Sequence, residues 1–328
     1  MNYIEIIKRA ARITWRYKVL WILGILLALS SSNGPSNSFT YTLNDNNGAM
    51  GGMGQSMFPG WSFPDPGVIA GFVLLCCCLL AALVIVLTVV QYVARTGLYR
   101  AVDQIEETSA APTWREGLRL GWNNRALRMF LLDLLVGIAV FVVIMALLLL
   151  AASPLLLLLL FFENEALSIF GGVATAGLLM LAILLIIVLA VFVSVLQQFW
   201  RRQIALDDRT IGEALSLGTQ MARRKAGDVA IFWLLMVAIG IVFALVLIPL
   251  VIGLSLLGGG IGFGLGYAVY GLTNSAGWAV LAGLPIFIAI LSIPLVLVQG
   301  VYLVFESSAW TLVYRDLRPT RAIDTIGE

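Results

Sequence analysis

The sequence contains no histidine and carries few charges. Charged residues make up 12% of the 328 residues and apolar residues 61%. Soluble domains average about 25% charged and about 45–50% apolar residues. The missing histidine removes the commonest general base and the commonest metal ligand. The composition therefore indicates an integral membrane protein and argues against a soluble enzyme.

The three cysteines, Cys76, Cys77 and Cys78, are consecutive within an apolar run. Neighbouring residues of a helix point about 100° apart, so these thiols cannot bind one metal ion together. Adjacent cysteines also rarely form a disulfide. We expect them to serve as small apolar packing residues.

Motifs for catalysis and cofactor binding are missing as well. There is no Gly-rich phosphate loop ending in lysine, no zinc-binding helix motif and no nucleophile with a histidine partner. Asp133 is the only aspartate clearly within an apolar stretch, and Asp228 lies at the edge of another. The sequence predicts a non-enzymatic protein with no catalytic residue, cofactor, metal ion or nucleic-acid partner.

Apolar stretches recur along the chain and define the expected fold. They predict spans at approximately 19–30, 67–94, 129–152, 169–200, 229–257 and 278–306. A membrane-spanning helix needs about 20 apolar residues, and five of the stretches reach that length. The first stretch is short, and a cleaved signal peptide is its alternative, although the basic segment before it is long for a signal. We expect an all-α, six-helix bundle forming a single transmembrane domain.

Basic residues occur only in alternate segments between these stretches. All 20 lysines and arginines lie before span one, between spans two and three, between spans four and five, or after span six. Because Lys and Arg in short loops stay on the cytoplasmic side, this separation predicts a bacterial inner (plasma) membrane protein with both termini cytoplasmic.

The remaining three loops are then expected on the outer side. Residues 31–66 are rich in Ser, Asn, Gly and Met, which predicts a loose outward-facing loop. Residues 258–277 are rich in glycine, which favours a flexible connector. A lining for a permeation path is the alternative for this glycine-rich segment.

An internal repeat is suggested by acidic residues at matching places. The segments before the odd-numbered spans contain Glu5, Glu116 and Glu213, and the even-numbered spans are followed by Asp103, Asp207 and Asp316. Copies about 100 residues long are a familiar way to build membrane bundles. We expect three parallel repeats, each an interfacial helix followed by a pair of spans.

The segments before the odd-numbered spans are basic and amphipathic. Such helices lie in the headgroup plane and attract anionic lipids. The candidate headgroup contacts are Lys8, Arg12, Arg16, Arg115, Arg119, Arg223, Arg224 and Lys225. The alternative is that these residues only set the topology.

Two acids inside the cytoplasmic boundary, Asp133 and Glu306, have no basic residue within one helical turn. An ionised side chain at that depth costs up to a few kcal/mol unless it is paired. We therefore expect ion pairs between helices, in which the partners are Arg95, Arg201 or Arg202. A functional proton or ligand site is the alternative.

Three short motifs accompany this pattern of span pairs and cytoplasmic Arg clusters: Arg223-Arg224-Lys225, Ala309-Trp310-Thr311 and Tyr314-Arg315-Asp316. In these features the chain resembles bacterial membrane proteins related to the glycerophosphodiester phosphodiesterase membrane domain. Enzymes of that family carry their catalytic residues in a soluble barrel after the membrane domain. The sequence here ends at Glu328, so the resemblance implies a stand-alone membrane domain without the catalytic part.

The expected role is membrane organisation, or support of a membrane complex as an accessory subunit, with contacts to anionic headgroups. A protein partner or a second copy of the chain would complete such a complex. The alternative is a small transporter or channel, which would place polar groups near the midplane on broken helices. The middle of each span lacks charge, although Pro249, Pro285 and Pro294 could break spans five and six.

Overall fold

The protein is helical throughout the part of the chain that the structure, a computed structural model, describes. The described residues are 2–30, 66–108, 110, 112–160 and 165–318. They form α1 (Tyr3–Arg16), α2 (Val19–Ser30), α3 (Pro66–Thr108), α4 (Trp114–Gly121), α5 (Asn124–Leu160), α6 (Glu165–Asp207), α7 (Ile211–Arg224), α8 (Ala226–Thr273) and α9 (Ala276–Leu317). These ranges contain no strand, and the predicted all-α class is confirmed.

The helices divide between two compact units. The central unit contains Trp122–Trp233 and the C-terminal segment from Trp310. The N-terminal unit contains Asn2–Gly121 and Leu234–Ala309. The central unit thus holds α5, α6, α7 and the basic ends of α8 and α9, whereas the N-terminal unit holds α1 to α4 and most of α8 and α9.

Five helices, α3, α5, α6, α8 and α9, are long and apolar enough to cross a membrane. In their most apolar windows only 0% to 11% of the residues are buried inside the protein. Large side chains such as Leu79, Ile183 and Leu256 are exposed. Helices satisfy their own backbone hydrogen bonds, so apolar surface of this extent fits a lipid environment. The chain is a multi-span helical membrane protein.

The short helix α2 differs from the other apolar helices. Its 12 residues measure about 18 Å along the axis, whereas the hydrocarbon core is about 30 Å thick. α1 and α2 meet at a bend of 97°, and the indole of Trp21 donates a hydrogen bond of 2.8 Å to the carbonyl of Thr14 at this corner. The pair adds a sixth span only if it counts as one broken span, so the structure supports five or six spans.

The repeated glutamates have a local structural role. They accept hydrogen bonds from the residue three positions earlier, in the pairs Asn2 with Glu5, Thr113 with Glu116, and Thr210 with Glu213. The Thr113 N–H lies 2.8 Å from the Glu116 carboxylate and holds the pKa of that carboxyl below its usual value. The bonds from the Thr113 and Thr210 N–H groups are the return bonds of capping boxes. Glu5 instead accepts from the Asn2 side-chain amide, and its own N–H donates to Asn2 Oδ1. Each glutamate therefore marks the start of α1, α4 or α7.

The glycine-rich segment predicted as an outer connector is instead helical. α8 continues unbroken to Thr273, and only Asn274 and Ser275 separate it from α9. Glycine weakens helices in water by about 1 kcal/mol, but in membranes it allows two helices to approach closely. A Cβ atom on Gly262 would lie 2.9 Å from the carbonyl oxygen of Gly283. The prediction of a loop was wrong because this packing outweighs the low helix propensity.

The prolines that could have broken spans five and six lie inside continuous helices. Pro249 is within α8, and Pro285 and Pro294 are within α9. A membrane helix tolerates the hydrogen bond lost at proline when neighbouring groups compensate for it.

The helices also extend beyond the predicted spans, because charged residues mark the edge of the hydrocarbon and not the end of the helix. The predicted outer loop at 31–66 lies outside the described residues apart from Pro66.

Glycine also brings helices together within the N-terminal unit. A Cβ atom on Gly300 of α9 would lie 2.8 Å from the backbone nitrogen of Ile25 on α2. One on Gly121 of α4 would overlap the carbonyl oxygen of Val93 on α3. These close approaches fix the positions of α2 and α4 against longer helices.

We expect Gly283→Ala to destabilise the protein, because its methyl group would overlap the carbonyl oxygen of Gly262. Overpacking of this kind costs about 1–3 kcal/mol. Gly264→Ala on α8 is the matched control, since a Cβ atom there meets nothing within 4 Å. Thermal unfolding in detergent should show a lower midpoint for Gly283→Ala alone. Equal midpoints for the two variants would contradict the close packing of α8 on α9.

Candidate functional site

The basic end of the central unit contains an ion pair between two spans. Arg201 Nε on α6 lies 2.9 Å from Asp133 Oδ1 on α5. The two side chains are only 17% and 10% exposed, and Arg201 also donates to the amide oxygen of Gln197 at 3.2 Å. Asp133 thus has a cation from a neighbouring helix, and Arg201 is one of the three partners named for it above.

Arg202, the next residue along α6, is buried in the protein and is only 1% exposed. Its Nε donates to the Thr311 hydroxyl on α9 at 3.2 Å, and its Nη1 donates to the carbonyl and the amide oxygen of Gln198 at 2.7 and 2.8 Å. A buried guanidinium is costly unless hydrogen bonds compensate for its lost hydration. Arg202 therefore joins α6 to the end of α9. Its predicted pairing with an acid stays a prediction.

Asp207, at the end of α6, connects to the same part of α9. Its carboxylate accepts hydrogen bonds from the Tyr314 hydroxyl and from the Arg318 guanidinium. Tyr314 and Arg318 are four residues apart, so they lie on one face of the chain as α9 ends. Sequence reasoning used Asp207 only as a marker of the repeat and missed this cluster. The i, i+4 spacing of Tyr314 and Arg318 was the only feature of the sequence that pointed to this cluster.

Three buried aromatic rings pack next to the contact between Arg202 and Thr311. Trp310, the residue before Thr311, packs edge-on against Phe199 at 6.1 Å and against Phe232 at 5.1 Å between ring centroids. The side chains of Trp310, Phe199 and Phe232 are all buried. Edge-on aromatic packing adds about 0.5–1.5 kcal/mol to the burial of the rings. The Ala309-Trp310-Thr311 motif therefore has a packing role in this protein.

The turn after α6 carries a third set of contacts. Asp208 adopts a left-handed backbone with φ 55° and accepts Arg125 Nη2 at 3.2 Å and Arg128 Nη1 at 3.3 Å. Arg125 Nη1 also donates to the carbonyl oxygen of Ala205 at 2.9 Å. Cations at a helix C-terminus stabilise its unpaired carbonyl groups. These two arginines thus hold the start of α5 against the end of α6.

In the N-terminal unit, the predicted pairing partners Arg95 and Glu306 are half-buried on α3 and α9. The pairing of Glu306 with an arginine stays a prediction. A contact that sequence reasoning missed joins α1 to α3, where Arg9 forms an ion pair with Glu106.

Comparison with known families bears on the whole chain. Residues 12–320 match a family of unknown function, DUF7544. The chain belongs to this family. Comparisons with curated proteins and with solved structures found no match. The DUF7544 description names no activity, so the resemblance to the glycerophosphodiester phosphodiesterase membrane domain stays a prediction.

The predicted headgroup contacts of this DUF7544 protein are exposed. In α1 the buried face is Ala10, Ile13 and Thr14, and the exposed cations are Lys8, Arg12 and Arg16. Ile4 and Trp15 on the same helix are 65% and 68% exposed. α1 thus presents apolar and basic side chains together on its surface, as interfacial helices do.

The other candidate contacts lie on α4 and at the end of α7. Arg115 and Arg119 are exposed on α4, which packs on α3 through Gly117 and Gly121. The guanidinium of Arg115 lies 5.1 Å from the ring centre of Trp114, itself exposed. Arg223, Arg224 and Lys225 are exposed where α7 ends. The predicted residues are therefore exposed on α1, on α4 and at the end of α7.

No metal site is evident in the described ranges, which contain no group of three or more His, Cys, Asp or Glu residues able to hold an ion. Of the cysteines in α3, Cys76 is half-buried and Cys77 and Cys78 are exposed. The helix places them on the apolar surface of the DUF7544 protein and not in a cluster with acids.

We expect Asp133→Asn and Arg201→Gln each to lower the thermal stability of the DUF7544 protein, because each leaves the other charge unpaired in a largely apolar setting. Breaking a buried pair costs about 3–5 kcal/mol, and a smaller loss follows here because the pair is partly exposed. The double variant should lose less than the sum of the two single losses.

The control for this cycle is Asp208→Asn, which removes a carboxylate whose side chain is 51% exposed. Exposed pairs contribute about 0–1 kcal/mol, so its effect should be small. Additive losses at Asp133 and Arg201 would show that the two side chains do not interact. The measurement is thermal unfolding of the full chain in detergent.

Proposed function

We propose that this protein has no enzymatic activity and organises the cytoplasmic leaflet of a bacterial inner membrane. It would act either directly on lipid or as an accessory subunit of a membrane complex. In this proposal α2 belongs to a sixth span, α1 lies at the membrane surface before it, and both termini are cytoplasmic. The interfacial helices contact anionic headgroups on that side.

The orientation of α1 carries the proposal. The 97° bend turns α1 away from the direction of α2, so that a spanning α2 leaves α1 along the membrane surface. Its exposed Ile4 and Trp15 then reach the acyl boundary, where aromatic side chains are enriched. Its cations Lys8, Arg12 and Arg16 lie at headgroup level. Apolar burial and attraction to anionic lipid both contribute to such binding.

The charge distribution supports the same orientation. Each basic residue near an anionic surface contributes about 1 kcal/mol, and the attraction falls off within a Debye length. The exposed cations on α1, α4 and α7 all belong to segments that the positive-inside rule assigns to the cytoplasm. In this proposal the same residues therefore determine the topology and contact the headgroups.

A small transporter is the alternative function, and the continuous helices disfavour it. Transporters typically bind substrate at the midplane, where broken helices offer free backbone groups. α8 and α9 continue through Pro249, Pro285 and Pro294. The charged pair between α5 and α6, Asp133 with Arg201, lies near the basic end of these helices. These features favour a role in membrane organisation.

We expect the triple variant Lys8→Gln, Arg12→Gln, Arg16→Gln to retain less phosphatidylglycerol after purification from mixed membranes. Each lost cation should lower the enrichment of anionic over zwitterionic lipid by up to about fivefold. Lipids that remain bound are counted by mass spectrometry. The triple variant keeps the buried face of α1, so its fold should be retained.

The matched control is Arg9→Gln with Glu106→Gln. It removes the ion pair between α1 and α3 without changing the net charge. This control should retain phosphatidylglycerol like the unmodified protein. Equal enrichment in the triple variant would show that α1 does not recognise anionic headgroups.

A further inference from the structure

We propose that a cavity at the basic end of the central unit binds a phosphate group. The cavity has a volume of about 630 Å³ and lies between α6, α7 and the end of α9. Its cationic wall consists of Arg209, Arg224, Lys225 and Arg318. This site involves none of the residues of α1, so it can be tested independently of the role proposed for that helix.

The cations of this cavity exceed its acids. Only Asp207 and Asp316 among the lining residues are acidic. Asp207 is already engaged by Tyr314 and Arg318, so its charge is compensated within the protein. Arg209 lies 4.0 Å from Glu213 of α7, and Arg224 and Lys225 are exposed. The excess of cations over acids among the lining residues creates a positive potential, which an anion would neutralise.

A buried amide also lines the cavity. Gln203 is only 5% exposed. Its side-chain amide can donate a hydrogen bond to an oxygen of a bound ligand.

The donor set favours phosphate over a carboxylate. Guanidinium groups bind phosphate oxygens with two parallel hydrogen bonds, and lysine adds a compact charge. Arg209, Arg224 and Lys225 offer both types of cation, and Gln203 and Gln220 add neutral amides. A phosphate group has at least two charged or polar oxygens beyond those of a carboxylate and can use more of these donors at once.

The phosphate could belong to a lipid headgroup or to a soluble compound, and the neighbouring residue Arg223 helps to separate these sources. Arg223 lines a different, apolar groove of about 500 Å³ together with residues such as Phe192 and Trp233. The last turn of α7 therefore directs Arg223 to an apolar groove and Arg224 to the polar cavity. Arg223→Gln removes one charge from the same turn without altering the cavity and is the matched control for inorganic phosphate.

The test uses the full chain and two phosphate probes. Inorganic phosphate is titrated against the protein in detergent by calorimetry, and phosphatidylglycerol is offered in nanodiscs and compared with phosphatidylcholine by native mass spectrometry. We expect saturable binding of at least one probe. Arg224→Gln with Lys225→Gln should weaken that binding at least tenfold, and Gln203→Leu should also weaken it. Arg223→Gln should change the binding of inorganic phosphate less than twofold; with phosphatidylglycerol it is no control, because Arg223 is itself a candidate headgroup contact.

The outcomes separate the sources and the alternatives. Saturable binding of inorganic phosphate supports a soluble ligand, and binding of phosphatidylglycerol alone supports a lipid headgroup. The proposal is overturned if neither probe binds, or if the double variant, with an unchanged melting temperature, binds as well as the unmodified protein. Lys225→Gln alone serves as the milder variant if the double variant unfolds. An equal loss of inorganic phosphate binding in Arg223→Gln would indicate general charge attraction and would also overturn the proposal.

Discussion

The cost of placing a charge in hydrocarbon is the constraint on which this structure depends. It confines every lysine and arginine to alternate segments between the apolar stretches. Ionisable groups that lie deeper need partners. Asp133 pairs with Arg201 of a neighbouring helix, and the buried Arg202 donates to Thr311 of α9 and to Gln198 of its own helix. Cohesion at the basic end is therefore polar, whereas elsewhere close glycine contacts bring the helices together.

These two modes of packing differ in the geometry that they require. The glycine contacts need only a close approach of two backbones, as between Gly262 and Gly283, and involve no charged groups. The contacts of Arg202 and Asp207 depend on donor geometry and specify one register between α6 and the end of α9. A polar network whose members are largely satisfied rigidifies its surroundings. These contacts thus specify the packing at the basic end of the central unit.

Much of the fold follows from composition and periodicity, but the features that depend on distant residues do not. The all-α class and the membrane-spanning helices follow from long apolar stretches, and Glu116 and Glu213 indicate where short helices start. The helix through Gly258 and its neighbours was missed, because single-residue propensity ignores the partner helix that glycine admits. The cluster of Asp207, Tyr314 and Arg318 was missed because Asp207 is more than 100 residues from the other two. The local spacing of Tyr314 and Arg318 does not show which distant acid they contact.

The capping pattern at the start of α1, α4 and α7 has a consequence for biosynthesis. Each capping residue and its glutamate are three positions apart, so the short helix can form as soon as its first turns leave the ribosome, before the apolar segment that follows. In the proposed orientation, a basic helix would then be held at the cytoplasmic surface while the next two spans enter the bilayer as a hairpin. Such a chain can be inserted pair by pair, with no hairpin needing a later one to determine its direction.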